Sequence, residues 1–118
     1  MCKSGSLTVE YLPRPMEEAK FGVGRLIQHL RFGYRGVVVD VDAHFEGTED
    51  WYQTMARSRP PKDAPWYHVL VHDSGHMTYV AERNLEEDTS GEPIRHPLLE
   101  QFFDDFRGGL YVRDQALN

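Results

Sequence analysis

At 118 residues the chain is long enough for one domain and leaves little room for two. Its 40% hydrophobic and 27% charged residues exclude a disordered chain, and a formal net charge of −6 argues against strong phosphate-driven affinity for DNA. The single cysteine, Cys2, excludes an intramolecular disulfide and fits a reducing compartment.

No apolar run approaches the ~20 residues of a membrane helix. No signal-peptide core is evident, and Cys2 with only Met1 before it does not support a lipoprotein anchor. The expected location is cytoplasmic, with nucleoid association as a variant of it. The total charge hides a polarity. Lys20, Arg25, Arg31 and Arg35 follow one another without an acid between them, as do Arg57, Arg59 and Lys62. Between Glu86 and Asp105 there are seven acids against Arg95 alone. Two faces of opposite sign, or simple solvation of the surface, both fit this pattern.

Residues 1–18 read as an N-terminal tail, because Pro13 and Pro15 remove backbone donors and no periodicity is sustained. A glycine turn at Phe21–Gly24 leads into a strand over Arg25–Phe32. A second turn at Gly33–Gly36 leads into the clearest strand, Gly36–Asp42. Strict alternation there puts Val37, Val39 and Val41 on one face and Val38, Asp40 and Asp42 on the other. Thr48 can cap a short helix with Glu49 and Asp50 in its first turn. A proline-stiffened loop, Arg57–Pro65, follows. Trp66–His72 is a strand, Asp73–His76 a hairpin turn, and Met77–Ala81 the returning strand. Glu82–Leu85 reads as one helical or 3₁₀ turn, and Leu85–Glu86 as the opening of a last short strand. Pro97 suits a first helical position, and Leu98, Leu99, Phe102, Phe103 and Phe106 share a helix face. Gly108-Gly109 would end that helix over 98–109, leaving 110–118 as a tail. Short strands with glycine turns in so few residues predict a mainly β domain: a small antiparallel barrel with an inserted helix and loop and a C-terminal helix.

His68, His72 and His76 are spaced four apart, but on a strand four residues span about 13 Å. Zinc needs its ligand nitrogens ~2 Å from the metal, so no metal site is expected. Asp40 and Asp42 share a strand face and could act as acid and base, but acids at a strand end are usually solvated. Ser74 lies in a turn composition, not a nucleophile elbow, and Gly22-Val23-Gly24 lacks the third glycine of a dinucleotide loop. No catalytic residue and no cofactor are expected.

The best candidate site is a macromolecule-binding stretch. Trp51, Tyr52, Trp66 and Tyr67 lie around Arg57, Arg59 and Lys62, with His68 adjoining. Aromatics with arginine dominate protein interfaces and can also contact phosphates and stack on bases. The alternative is that Trp66 or Tyr67 fills the core.

The series of motifs carries a resemblance. It runs Ala19-Lys20-Phe21-Gly22-Val23-Gly24, Arg35-Gly36-Val37-Val38-Val39-Asp40-Val41-Asp42, Glu49-Asp50-Trp51-Tyr52 and Arg59-Pro60-Pro61-Lys62-Asp63. It continues with Pro65-Trp66-Tyr67-His68-Val69-Leu70-Val71, Tyr79-Val80-Ala81-Glu82-Arg83-Asn84-Leu85 and Ser90-Gly91-Glu92-Pro93-Ile94-Arg95-His96-Pro97. In this order the motifs resemble the HspQ family, also called YccV-like or hemimethylated-DNA-binding, across 19–97. The resemblance implies an SH3-like barrel without enzymatic activity. It implies a heat-shock or stress-response role, either as an adaptor or specificity factor for Lon-type proteolysis or as a binder of hemimethylated DNA affecting replication-initiator levels. It also implies a homo-oligomer. The N-terminal extension and the acidic, phenylalanine-rich segment after His96 depart from the family's short members and inherit no function from it.

Overall fold

The computed structural model describes residues 19–113; the expected tail at 1–18 and residues 114–118 lie outside the described residues. Strands β1 (Leu26–His29), β2 (Arg35–Asp42), β3 (Trp66–Val71), β4 (Met77–Ala81) and β5 (Leu85–Glu87) form one sheet. All of its pairings are antiparallel, in the order β4-β3-β2-β1-β5. Helix α1 (Glu49–Met55) separates β2 from β3, and a 3₁₀ turn (Glu82–Asn84) joins β4 to β5. A four-residue helix, α2 (Leu99–Phe102), and a hairpin of β6 (Asp105–Arg107) and β7 (Leu110–Val112) close the described chain.

The mainly β reading, the inserted helix and the positions of β2 to β5 hold, whereas the first strand, expected over Arg25–Phe32, ends at His29 and Leu30–Phe32 form the turn into β2. The Thr48 hydroxyl accepts the Trp51 N–H at 3.1 Å, the cap expected from its sequence position. The closed barrel does not hold: β4 and β5 remain the two edges of an open ladder. The ladder is nevertheless curled. Five flat strands would hold their edges about 19 Å apart at ~4.8 Å per spacing. The step from Ala81 to Leu85 reaches at most about 14 Å even fully extended.

The alternation expected for β2 is broken by a bulge. Val38 faces Val69 and Asp40 faces His68, which leaves Val39 as an extra residue. The parity of the strand flips there. Val37 and Val39 join one core cluster with Leu26 and Leu70, while Val38 and Val41 join the other with Ile27, Tyr67 and Val69.

The C-terminal helix expected over 98–109 is confined to one turn. Phe103 leaves helical geometry, and Asp104 N–H donates to the Val112 carbonyl at 2.8 Å. Gly108 and Gly109, with φ of 61° and 79°, form the two-residue turn of the β6–β7 hairpin instead of a helix cap. Leu110–Val112, expected as a tail, is therefore a paired strand. The apolar residues that suggested a longer helix are satisfied by packing: Phe103 and Tyr111 are buried against Leu26, Val37, Val39 and Leu70, with Leu98, Leu99, Phe102 and Phe106 around them.

Two polar anchors fix the ends of this fold. Tyr67 Oη donates to Glu82 Oε2 at 2.6 Å, and the same oxygen accepts the Lys20 N–H at 2.8 Å. Burial, reinforced by the Glu82 carboxylate, pushes the Tyr67 phenol well up, so it stays a donor. The second anchor is Arg35, whose Nε donates to the buried Asp88 carboxylate at 2.7 Å. Burial alone would raise the Asp88 carboxyl, but hydrogen bonds from Arg35 and Ser90 outweigh it and hold the group below its ordinary range. A depressed folded pKa means stability present above the unfolded value, about 3.9, and lost as pH falls through the folded value. Asp88→Asn should therefore cost about 2 kcal/mol at neutral pH, with the gap to the parent closing in the acid range. Urea midpoints at neutral pH and below the ordinary carboxylate pKa check this; parallel pH profiles for the two proteins would contradict it.

Candidate macromolecule-binding site

The Trp51–His68 stretch folds into an aromatic cluster at one end of the sheet. Trp66 is 1% exposed and packs among Phe45, Tyr52, Trp51 and Tyr79, with ring centroids 4.8 to 6.3 Å away. Its Nε1 donates to the Pro61 carbonyl at 3.0 Å. Tyr67 is fully buried on the opposite side, edge-on to Phe21. Tyr52 is buried and donates its hydroxyl to the Pro60 carbonyl at 2.6 Å. The core alternative is thus the one realised for Trp66 and Tyr67, because β3 is a central strand with both faces covered. Trp51 alone of the four stays half-buried at the surface.

The three basic residues of the stretch have different fates. Arg59 adopts a left-handed φ of 54° just past α1. Its guanidinium donates to the carbonyls of Tyr52, Gln53 and Ala56, so it caps a helix that has no basic residue in its last turn. Lys62 pairs with Glu49 and lies 4.3 Å from the Tyr52 ring centre. Arg57 is exposed and has no partner among the described residues.

His68 is half-buried and shares Asp42 with Tyr79: His68 Nε2 lies 3.1 Å from Asp42 Oδ2, and Tyr79 Oη donates to that oxygen at 2.6 Å. Burial, then the Asp42 carboxylate, pushes the Tyr79 phenol up and keeps its proton in place. The spaced histidines do not converge: His72 Nδ1 accepts the Arg95 N–H, and His96 Nε2 sits 2.9 Å from the His76 carbonyl oxygen. Asp40, Asp42 and His68 do converge, with ligand-type atoms within 4.8 Å of one another. The register shift at Val39 creates this group by setting Asp40 opposite His68. A cation there would compete with the hydrogen bonds already on Asp42.

Sequence reasoning missed the groove beside this cluster. It has a volume of about 810 Å³ and runs along β4, between the β1–β2 turn and the end of α1. Phe32, 76% exposed, stands on one side and Met55, 61% exposed, on the other, with Met77 at 44% along the strand. Phe32 is held out by a built turn. The His29 ring, 5% exposed, accepts the N–H groups of Arg31 and Phe32 on Nδ1 at 3.1 Å each, and Phe32 stacks on it at 4.6 Å. Burial, then the Arg31 charge, lowers the His29 pKa, which keeps that nitrogen an acceptor. The one signal in the sequence is an apolar Phe32 directly before the Gly33–Gly36 turn.

The described residues thus form an open, curled antiparallel sheet with a wide apolar groove along one edge strand. A family model described as "Hemimethylated DNA-binding protein YccV like" matches residues 19–110, and the chain belongs to this YccV-like family. The match extends past Pro97 as far as residue 110, so it takes in α2, β6 and the Gly108-Gly109 turn, which the resemblance over 19–97 leaves out. Among the described residues no helix is long and apolar enough to cross a membrane.

Proposed function

We propose that this chain is a non-enzymatic protein-binding module that works as an adaptor or specificity factor in Lon-type proteolysis. The observation that carries the reading is the groove beside β4, with its exposed Phe32, Met55 and Met77. Exposed apolar residues gathered around one concavity mark a contact site more strongly than scattered ones do. Trp51 and Arg57 join it from the stretch singled out in the sequence. Arg59 and Lys62 serve the reading indirectly, by holding α1 and its loop in position.

The second reading, binding of hemimethylated DNA, is favoured by the family's description. Against it stand the net charge of −6 and the internal engagement of Arg59 and Lys62. Phosphate contacts to hold register would fall mainly to Arg31 and Arg57 at this face, few for a duplex binder.

The test is stimulation of client degradation by a Lon-type protease with purified chain and its Phe32→Ala/Met55→Ala variant. Both side chains are exposed, so thermal stability should shift little, within about 1 kcal/mol. Stimulation should fall by roughly tenfold, as expected when interface anchors are truncated. Unchanged stimulation would remove the groove from the adaptor surface.

A further inference from the structure

We propose that the groove takes an extended, acidic peptide segment as an added strand on β4, an inference that rests on the protein-binding reading and specifies its ligand. β4 is an edge strand: it pairs with β3 alone, and its outward backbone groups have no backbone partner among the described residues. Edge strands are usually protected by charge, proline or a bulge. β5, the other edge, follows that rule with Glu86 and Glu87. β4 does not: Met77-Thr78-Tyr79-Val80-Ala81 holds no charge and no proline, and its register with β3 is regular. All five of its residues line the groove. A free, regular edge at the floor of an apolar groove is the arrangement that binds extended peptides through the main chain.

The charge of the groove selects the ligand. Its lining contains Arg31 and Arg57 and no carboxylate, and Asp42, which meets the lining residues His68 and Tyr79, is engaged by both. Among the described residues, every other arginine side chain has a hydrogen-bond or ion-pair partner. Arg25, Arg35, Arg95 and Arg107 pair with carboxylates, while Arg59, Arg83 and Arg113 donate to carbonyls. The two arginines left without one both face this groove, one from the β1–β2 turn and one from the loop after α1. In a chain of net charge −6, that placement is complementary to carboxylates on an incoming segment. Side chains alternating along such a strand would put apolar groups toward Phe32 and Met55 and acids toward the arginines.

The test uses the full chain and a short fluorescein-labelled peptide alternating valine with glutamate, read by anisotropy and by backbone amide NMR. Companion peptides carry lysine in place of glutamate, or N-methyl groups on alternate amides. The glutamate peptide should bind with shifts on Met77–Ala81, and the lysine peptide on the order of tenfold more weakly. N-methylation should abolish binding, and Arg31→Ala/Arg57→Ala should erase the preference for glutamate. Equal binding of the N-methylated peptide, equal binding of the lysine peptide, or no binding would each overturn the proposal. So would displacement of the peptide by duplex DNA at physiological salt, or sedimentation showing β4 covered by a second copy. If Phe32→Ala/Met55→Ala abolishes protease stimulation while the peptide fails to bind, strand addition falls and the adaptor reading stands. Peptide binding with stimulation unaffected by that variant gives the reverse.

Discussion

Gly24→Ala is expected to release the C-terminal hairpin and destabilise the domain by about 3 kcal/mol or more, the combined scale of overpacking and backbone strain. Gly24 sits at φ 94°, where a side chain is strained whatever the space around it. A Cβ there would also lie 2.0 Å from the Tyr111 carbonyl oxygen. That approach is close because the two segments are stitched together: Gly24 N–H donates to Val38, and Tyr111 N–H donates to the Gly24 carbonyl at 3.0 Å. Tyr111 in turn receives the Ile94 N–H on its hydroxyl at 2.8 Å, so the whole cover over Leu26, Val37 and Val39 is tied to this glycine. Gly22 is the control. It has no positive φ and nothing within 4 Å of its Cβ position, so Gly22→Ala should stay within about 0.5 kcal/mol of the parent. Urea unfolding of the two variants separates them; equal midpoints would contradict the docking of the hairpin on Gly24.

The second large effect is at Trp66. Trp66→Ala should cost about 4 kcal/mol, in the range for a buried large aromatic, and broaden signals from Phe45, Trp51 and Tyr79. Most of a typical domain's stability is of that order, so the variant should be largely unfolded at modest urea. Trp66→Phe keeps most of the apolar volume and leaves the Pro61 carbonyl without its donor, a loss of about 1 to 2 kcal/mol. A Trp66→Ala chain as stable as the parent would mean that the ring is a surface contact and not a core plug. Calorimetry decides between the two.

These residues show what the sequence could convey. The positions of β2 to β5, the Thr48 cap and the 3₁₀ turn were legible because each depends on local chemistry: alternation, a hydroxyl before a first turn, a break in β pattern. The faces of β2 were not, because the bulge at Val39 is set by pairing with β3 and leaves no mark in a run of valines. The C-terminal segment misled for a related reason. Leu98, Leu99, Phe102 and Phe103 have helical spacing, but burial against β2 and a Gly108-Gly109 turn favour one turn followed by a hairpin. Of the residues singled out by type, Trp51, Arg57, Trp66 and His68 line the groove. Trp66, Tyr67 and Tyr52 are interior, and Arg59 is a helix cap, whereas Phe32, Met55 and the β4 edge lie far apart in sequence and meet only when the sheet curls.

The most direct test of the claim that this domain binds protein in preference to DNA is fluorescence anisotropy with one duplex sequence in hemimethylated, fully methylated and unmethylated forms across a salt series. With Arg31 and Arg57 as the free arginines of the groove, binding should be weak, equal for the three forms and lost by physiological salt. A preference for the hemimethylated form that survives physiological salt would contradict the account and put DNA recognition first.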